Sequence, residues 1–175
     1  MFRKPATLMR TLPGFIGMMI ALPWLTCAQA TEPLRAQADM GPSSGSQASG
    51  SVKLVAAARG VHLEVEIHGL SPGVHGFHVH EVGDCSAPDA SSAKGHFNPE
   101  KQPHGSHAGD LPDLEADASG AAHLVVDIPG LSLGDDAGGI AGRALVVHAD
   151  PDDHHSQPAG NSGKRIACGV IRLQH

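Results

Sequence analysis

Between residues 61 and 67 the chain alternates without a break. Val61, Leu63, Val65 and Ile67 are apolar, and His62, Glu64 and Glu66 between them are polar. A period of two puts one set on each face of an extended chain, so this segment predicts a half-buried strand. Strand patterns also mark 51–55, 74–82, 122–128, 144–147 and 168–173, with a further strand near 35–40. Turn chemistry separates these runs, as in Gly69-Leu70-Ser71-Pro72-Gly73 and Asp117-Ala118-Ser119-Gly120. Short strands split by such turns predict an antiparallel sandwich or barrel. Two long stretches, 83–113 and 149–164, carry no strand pattern, and loops of that length in a compact domain are usually functional.

Composition sharpens this picture. The 175 residues suit one domain, and with 3% aromatic residues its core must be aliphatic. Charged residues make up 17%, below the ~25% of an average domain, while 22 Gly and 13 Pro fit many turns better than a helical bundle. A formal net charge of -6, with no Lys/Arg cluster longer than two, excludes a basic nucleic-acid surface.

Residues 1–30 read as a secretory signal peptide. Arg3, Lys4 and Arg10 form a basic start, 15–25 a short apolar run, and Ala28-Gln29-Ala30 a small-x-small cleavage site. The apolar run is too short to span a bilayer, so no stable membrane insertion is expected after cleavage. Trp24-Leu25-Thr26 before Cys27 is a poor match to a lipidation signal. Residues 31–49, rich in Gly, Ser, Gln and Ala, read as a flexible lead, and 50–175 as the folded domain. Cleavage removes three cations and takes the formal charge from -6 to -9. It also leaves two cysteines, Cys85 and Cys168, and an even pair in an oxidising compartment is expected to form one disulfide.

The chain holds 13 His, and these carry the candidate chemistry. His78 and His80 flank Val79 on a predicted strand, so both imidazoles point to one side and reach one ion. The first long loop adds His96, His104, His107 and Asp110, an N₃O set that suits tetrahedral Zn²⁺. His148 ends a strand where the second loop begins. Imidazole-rich sites suit copper or zinc, and a tetragonal nitrogen set favours Cu(II). His62, His68 and His123 lie on strand patterns and read as surface residues. His154 and His155 read as a solvated loop pair, against a copper-entry or anion-attracting role.

Several motifs in fixed order carry a family resemblance. They are Gly76-Phe77-His78-Val79-His80-Glu81, Gly95-His96-Phe97-Asn98-Pro99, His104-Gly105, His107-Ala108-Gly109-Asp110-Leu111-Pro112, Gly142-Arg143-Ala144-Leu145-Val146-Val147-His148, and the run from Gly160 to Ile171. From about residue 50 to 173 the chain closely resembles the copper/zinc superoxide dismutases, especially the exported bacterial kind. The resemblance implies an all-β fold, an eight-stranded antiparallel Greek-key barrel or sandwich of immunoglobulin-like layout with two long functional loops. It implies copper and zinc as cofactors, one of each per subunit, superoxide as substrate, a periplasmic location, and a monomer or homodimer.

Residue by residue, the resemblance implies copper ligands His78, His80, His96 and His148 and zinc ligands His96, His104, His107 and Asp110, with His96 bridging. Arg165 matches the arginine beside the open copper position. Cys85 and Cys168 match the family disulfide. Asp152 matches the carboxylate that hydrogen-bonds one ligand of each metal, and His75 a structural position. Only Gly105 and Ser106 separate His104 from His107, where the family usually has several more residues. With a mature charge of -9, attraction of an anion must be local, from Arg165 and Lys164. The competing reading is an exported copper/zinc carrier or buffer on the same fold, since fold alone does not decide function. Arg165 favours the enzyme, because a carrier has no need of an anion-binding cation.

Overall fold

The computed structural model describes residues 32–174. The signal-peptide reading of 1–30, Cys27 and His175 lie outside the described residues. Ten strands follow in order: Arg35–Pro42 (β1), Ser49–Ala57 (β2), Gly60–His68 (β3), Gly73–His75 (β4), Phe77–His80 (β5), Leu114–Ala116 (β6), Ala122–Pro129 (β7), Ala144–His148 (β8), Arg165–Val170 (β9) and Arg172–Gln174 (β10). The helical content of the described residues is one 3₁₀ turn, Ser91–Ala93.

All pairings between these strands are antiparallel, in the order β4-β6-β7-β3-β2-β1-β9-β8-β5, with β10 beside β1. Strand β3 pairs with β7 and β5 with β8, the crossed connections of a Greek key. The first and last strands in this order are consecutive in the chain, separated by Gly76 alone, so the sheet curls into a nearly closed barrel. Ten strands stand where eight were expected, because single-residue breaks at Gly76 and Ile171 split two long strands in two. The strand expected near 35–40 is Arg35–Pro42, and its six paired positions against β2 fix that part of the segment read as a flexible lead. The strand expected over 74–82 stops at His80, and β6 was not foreseen.

Alternation builds the core. Ala36, Ala38 and Met40 of β1, Val52 and Leu54 of β2, and Val61, Leu63, Val65 and Ile67 of β3 all turn inward and are buried. They meet Phe77 and Val79 of β5 and Leu145 and Val147 of β8. Burying each of the Val, Leu, Ile, Phe and Met side chains among them is worth roughly 1.5–3 kcal/mol.

Strands β5 and β8 are buried on both faces. Their outer face is covered by the first long loop. Ala90 and Ala93 from that loop pack on Ala144, Val146 and Cys168, with Cys85 against the cluster. The Cys85–Cys168 disulfide, with Cα atoms 5.8 Å apart, ties the loop to β9 as expected.

Candidate metal centre

The exposed edge of β5 is where the site begins. An unpaired strand edge would leave amide and carbonyl groups free. Here the first long loop satisfies them. Val79 N–H donates to Gly109 O at 2.9 Å, Phe97 N–H to Val79 O at 2.8 Å, and Glu81 N–H to Gly95 O at 2.9 Å. His78 thereby faces Asp110, and His80 faces His96, as antiparallel bridges. Gly109 permits this approach, because a Cβ there would collide with Val79 O and the Phe97 backbone. Arg143 holds the loop from outside: its guanidinium lies 3.8 Å from the centre of the Phe97 ring, and Nη1 donates to Glu81 O at 2.7 Å.

Since Phe77 and Val79 take the inner face, His78 and His80 project outward under the loops and are fully buried. His148, at the end of β8, joins them across the sheet, and the loop brings His96. Ligand-capable atoms of His78, His80, His96 and His148 all lie within 4.8 Å of one another. A second group, His96, His104, His107 and Asp110, meets the same distance criterion, within 4.8 Å. His96 belongs to both groups. The short His104–His107 spacing does not keep the second set apart.

Hydrogen bonding orients each ring. His80 Nδ1 donates to Lys94 O at 3.0 Å, which aims Nε2 inward, 3.4 Å from His148 Nε2. His78 Nε2 donates to Asp152 Oδ2 at 2.7 Å, and His104 Nε2 to Asp152 Oδ1 at 2.8 Å. One buried carboxylate thus fixes one ring in each group. Gly160 makes room for it, since a Cβ there would overlap the Asp152 carboxylate and His104 Nε2. Asp110 Oδ1 sits 3.0 Å from His96 Nδ1, 3.3 Å from His104 Nδ1 and 3.1 Å from His107 Nδ1. Its Oδ2 accepts the backbone N–H groups of Gly105 and His107. His75 is buried and braces the site, with Nδ1 2.8 Å from His148 O and Nε2 2.8 Å from Ser71 O.

The donor sets fit the two metals. Buried ring nitrogens His78 Nδ1, His96 Nε2 and His104 Nδ1 have no hydrogen-bond partner. Such orphans are costly unless something accepts their lone pairs. Four imidazoles suit copper, and three imidazoles with a carboxylate suit zinc.

Electrostatics keep these rings in the form that a metal needs. Burial, aided by His96 and opposed by Asp152, lowers the His78 pKa to about 4. Burial, with Arg165 nearby, lowers His80 to about 2, and burial with His78 nearby lowers His148 to about 3. These rings are neutral at neutral pH, the form that binds metal. For Asp152, burial opposes ionisation, but hydrogen bonds from His104, the His154 backbone and His78 prevail and lower its pKa to about 2.

Arg165 opens β9, in register with His148. Its Nη1 donates to Ala90 O at 2.7 Å and Nη2 to Lys94 O at 2.6 Å. The Lys94 carbonyl therefore fixes both Arg165 and His80. Sequence reasoning missed Lys94, Ala90 and Gly160, whose contributions are a carbonyl, another carbonyl and an empty volume. The unusual positive φ of 65° at Lys94 has no side-chain signature. His154 and His155 stay exposed and join neither group, His154 Nε2 lying 3.6 Å from Asp113 Oδ2.

The family model for copper/zinc superoxide dismutase matches residues 48–171. A copper–zinc superoxide dismutase of Aquifex aeolicus is 41% identical over 79% of this chain and 88% of its own length. One from Caulobacter vibrioides is 42% identical over 71% of this chain and 78% of its own. The crystal structure of a superoxide-dismutase-like protein from Bacillus subtilis superposes with a TM-score of 0.71 at 34% identity, covering 76% of this chain and 95% of that one. The chain belongs to the copper/zinc superoxide dismutase family, enzymes of superoxide dismutation that use copper and zinc.

Proposed function

We propose that His78, His80, His96 and His148 hold copper, that His96, His104, His107 and Asp110 hold zinc, and that Arg165 receives the substrate, in a protein exported to the periplasm. Bound at these residues, copper would supply a one-electron couple and zinc a fixed positive charge without redox chemistry. Overall, two superoxide anions and two protons give O₂ and H₂O₂.

The chain's own groups do the rest. Arg165 presents a planar cation whose orientation is set by two carbonyls, so it binds a small anion with little reorganisation and stabilises charge developing on peroxide. Asp152 holds His78 and His104 in fixed tautomers. His96 Nε2 has no competing hydrogen bond, so this atom can take up a proton and hand it to the departing peroxide. The loop and its disulfide keep the outer face of β5 and β8 covered. The Cys85–Cys168 bond supports an exported location, since such bonds persist in oxidising compartments.

The observation that supports this reading is the shared Lys94 carbonyl, which accepts from both the Arg165 guanidinium and His80 of the four-histidine set. The test is Arg165→Ala in metal-loaded protein. We expect kcat/KM for superoxide to fall by about 10–100-fold, within the range expected for a focusing charge in a cleft. The salt dependence should flatten with unchanged metal content. Full activity in the variant would remove Arg165 from the mechanism.

A further inference from the structure

The turn that carries His104 and His107 spends its backbone amides unevenly. Only Gly105 and Ser106 separate the two histidines, so the chain must reverse sharply to bring both rings to one point. Gly105, at φ 88°, makes that reversal possible. Ser106 N–H donates to Pro103 O at 3.1 Å, and the N–H groups of Gly105 and His107 donate to Asp110 Oδ2 at 2.8 and 3.0 Å. These three amides are used within their own loop. The His104 N–H leaves it, and donates to Gln157 Oε1 at 3.0 Å, across 53 positions of the chain.

Gln157 is aimed at this contact. Its Nε2 donates to His155 O at 3.1 Å, which leaves Oε1 facing His104. Asp153 braces the turn that carries it. Its Oδ1 accepts the N–H groups of His155 and Ser156 at 3.1 and 2.8 Å, and its Oδ2 accepts from Asn161 Nδ2 at 2.9 Å. The same turn closes on Gly105, where a Cβ would collide with His154 O.

His104 is therefore held at two points by the second long loop. Asp152 Oδ1 takes its ring Nε2 at 2.8 Å, and Gln157 Oε1 takes its backbone N–H. Its Nδ1 is left 3.3 Å from Asp110 Oδ1, with no hydrogen-bond partner. We propose that Gln157 is a positioning residue for the zinc set, holding His104 in place through its backbone amide and so slowing the escape of zinc. The proposal rests on the zinc assignment made above. Asp152 fixes the tautomer of the ring, whereas Gln157 fixes the backbone from which the ring projects. Without Gln157 the His104 amide must turn to water, and the 103–107 turn is free to carry the ring away from Asp110.

The experiment uses copper- and zinc-loaded protein and follows zinc release to an excess of chromogenic chelator. Gln157 is exposed, so Q157L should fold and keep its copper. Having bulk but no acceptor, it should release zinc about tenfold faster than the parent, the low end for loss of a group that orients a ligand. Q157E retains an oxygen for the His104 N–H and should restore most of the slow release. H155A, a neighbour whose backbone carbonyl still accepts from Gln157, should release zinc as the parent does. Cobalt(II) placed in the zinc set should give a shifted visible spectrum in Q157L and a parent-like one in Q157E, because that spectrum reads ligand geometry. Release at the parent rate from Q157L overturns the proposal, as does Q157E releasing zinc as fast as Q157L. D110A tests the assignment beneath it. If D110A holds zinc as the parent does, the zinc set itself is wrong and the proposal falls with it. If D110A loses zinc while Q157L releases it at the parent rate, the role of Gln157 alone is overturned.

Discussion

Two outer faces of one barrel carry histidines on the same period-two pattern, and they have opposite fates. On β5, His78 and His80 alternate with Phe77 and Val79 and are fully buried beneath the loops. On β3, His62 and His68 alternate with Val61 and Ile67, and His68 lies open to solvent. Alternation decides which side chains leave the core in both cases. What lies above the outward face decides what they do. Burial under the long loop strips the β5 imidazoles of water, holds them neutral and gives them fixed partners. Without that cover, the β3 imidazoles keep their solvent and depend on neighbours across the strand.

The largest effect that separates the faces is acid sensitivity of the metal-free protein. His78, His148 and His80 are held at about 4, 3 and 2, chiefly by burial, against an ordinary 6.5. The unfolded chain therefore binds protons that the folded chain refuses. Stability falls as pH drops below about 6.5, and the loss continues until each folded-state value is passed. Asp152, lowered to about 2 from 3.8, adds loss in the same direction below about pH 4. Chelated protein followed by circular dichroism should unfold on acidification well before metal-loaded protein, whose ligand nitrogens are closed to protons. Coincident acid transitions of the two forms would show that the covered histidines are not the sensitive groups.

Next in size is the carboxylate that joins the two metal groups. Asp152→Asn keeps the shape but offers one oxygen where two were used, by His78 Nε2 and His104 Nε2. One ring must then face an amide N–H and lose its fixed tautomer. Metal affinity, measured by chelator competition, should fall by about 10–100-fold. Unchanged affinity would mean the loops alone orient the rings.

How much of this was legible in the chain follows the same division. Strand β3 was readable because four inward apolar residues repeat every second position. The histidines of the proposed metal centre were readable because a His-x-His pair, a histidine-rich loop and a family resemblance carried by several motifs point to the same residues, and Cys85–Cys168 because only two cysteines remain after the expected cleavage. Strand β6 escaped because three residues carry too little period. The break at Gly76 escaped because barrel closure, rather than local preference, sets it. Lys94 and Ala90 act through carbonyls, which every residue possesses. The reach of Gln157 to the His104 amide depends on how the two long loops meet, which no local pattern states.

The smallest effect belongs to the open face, and it tests the comparison by its smallness. His62→Gln removes a ring whose Nδ1 is 2.7 Å from Asp127 Oδ1 and whose Nε2 is 3.8 Å from Glu64 Oε1. The side chain of Asp127 is 78% exposed, so water and salt screen the pair and its ordering entropy offsets most of the Coulomb gain. Glutamine can still donate one hydrogen bond there. Thermal unfolding of the metal-loaded variant should therefore shift by no more than about 0.5 kcal/mol in stability. The same change at His78 removes a proposed metal ligand and leaves the Asp152 carboxylate buried with one imidazole partner fewer, a named route to large losses. Comparable losses at the two positions would mean that cover by the loops does not divide these histidines, and that the sheet itself, through β3 and β7, needs His62 for its stability.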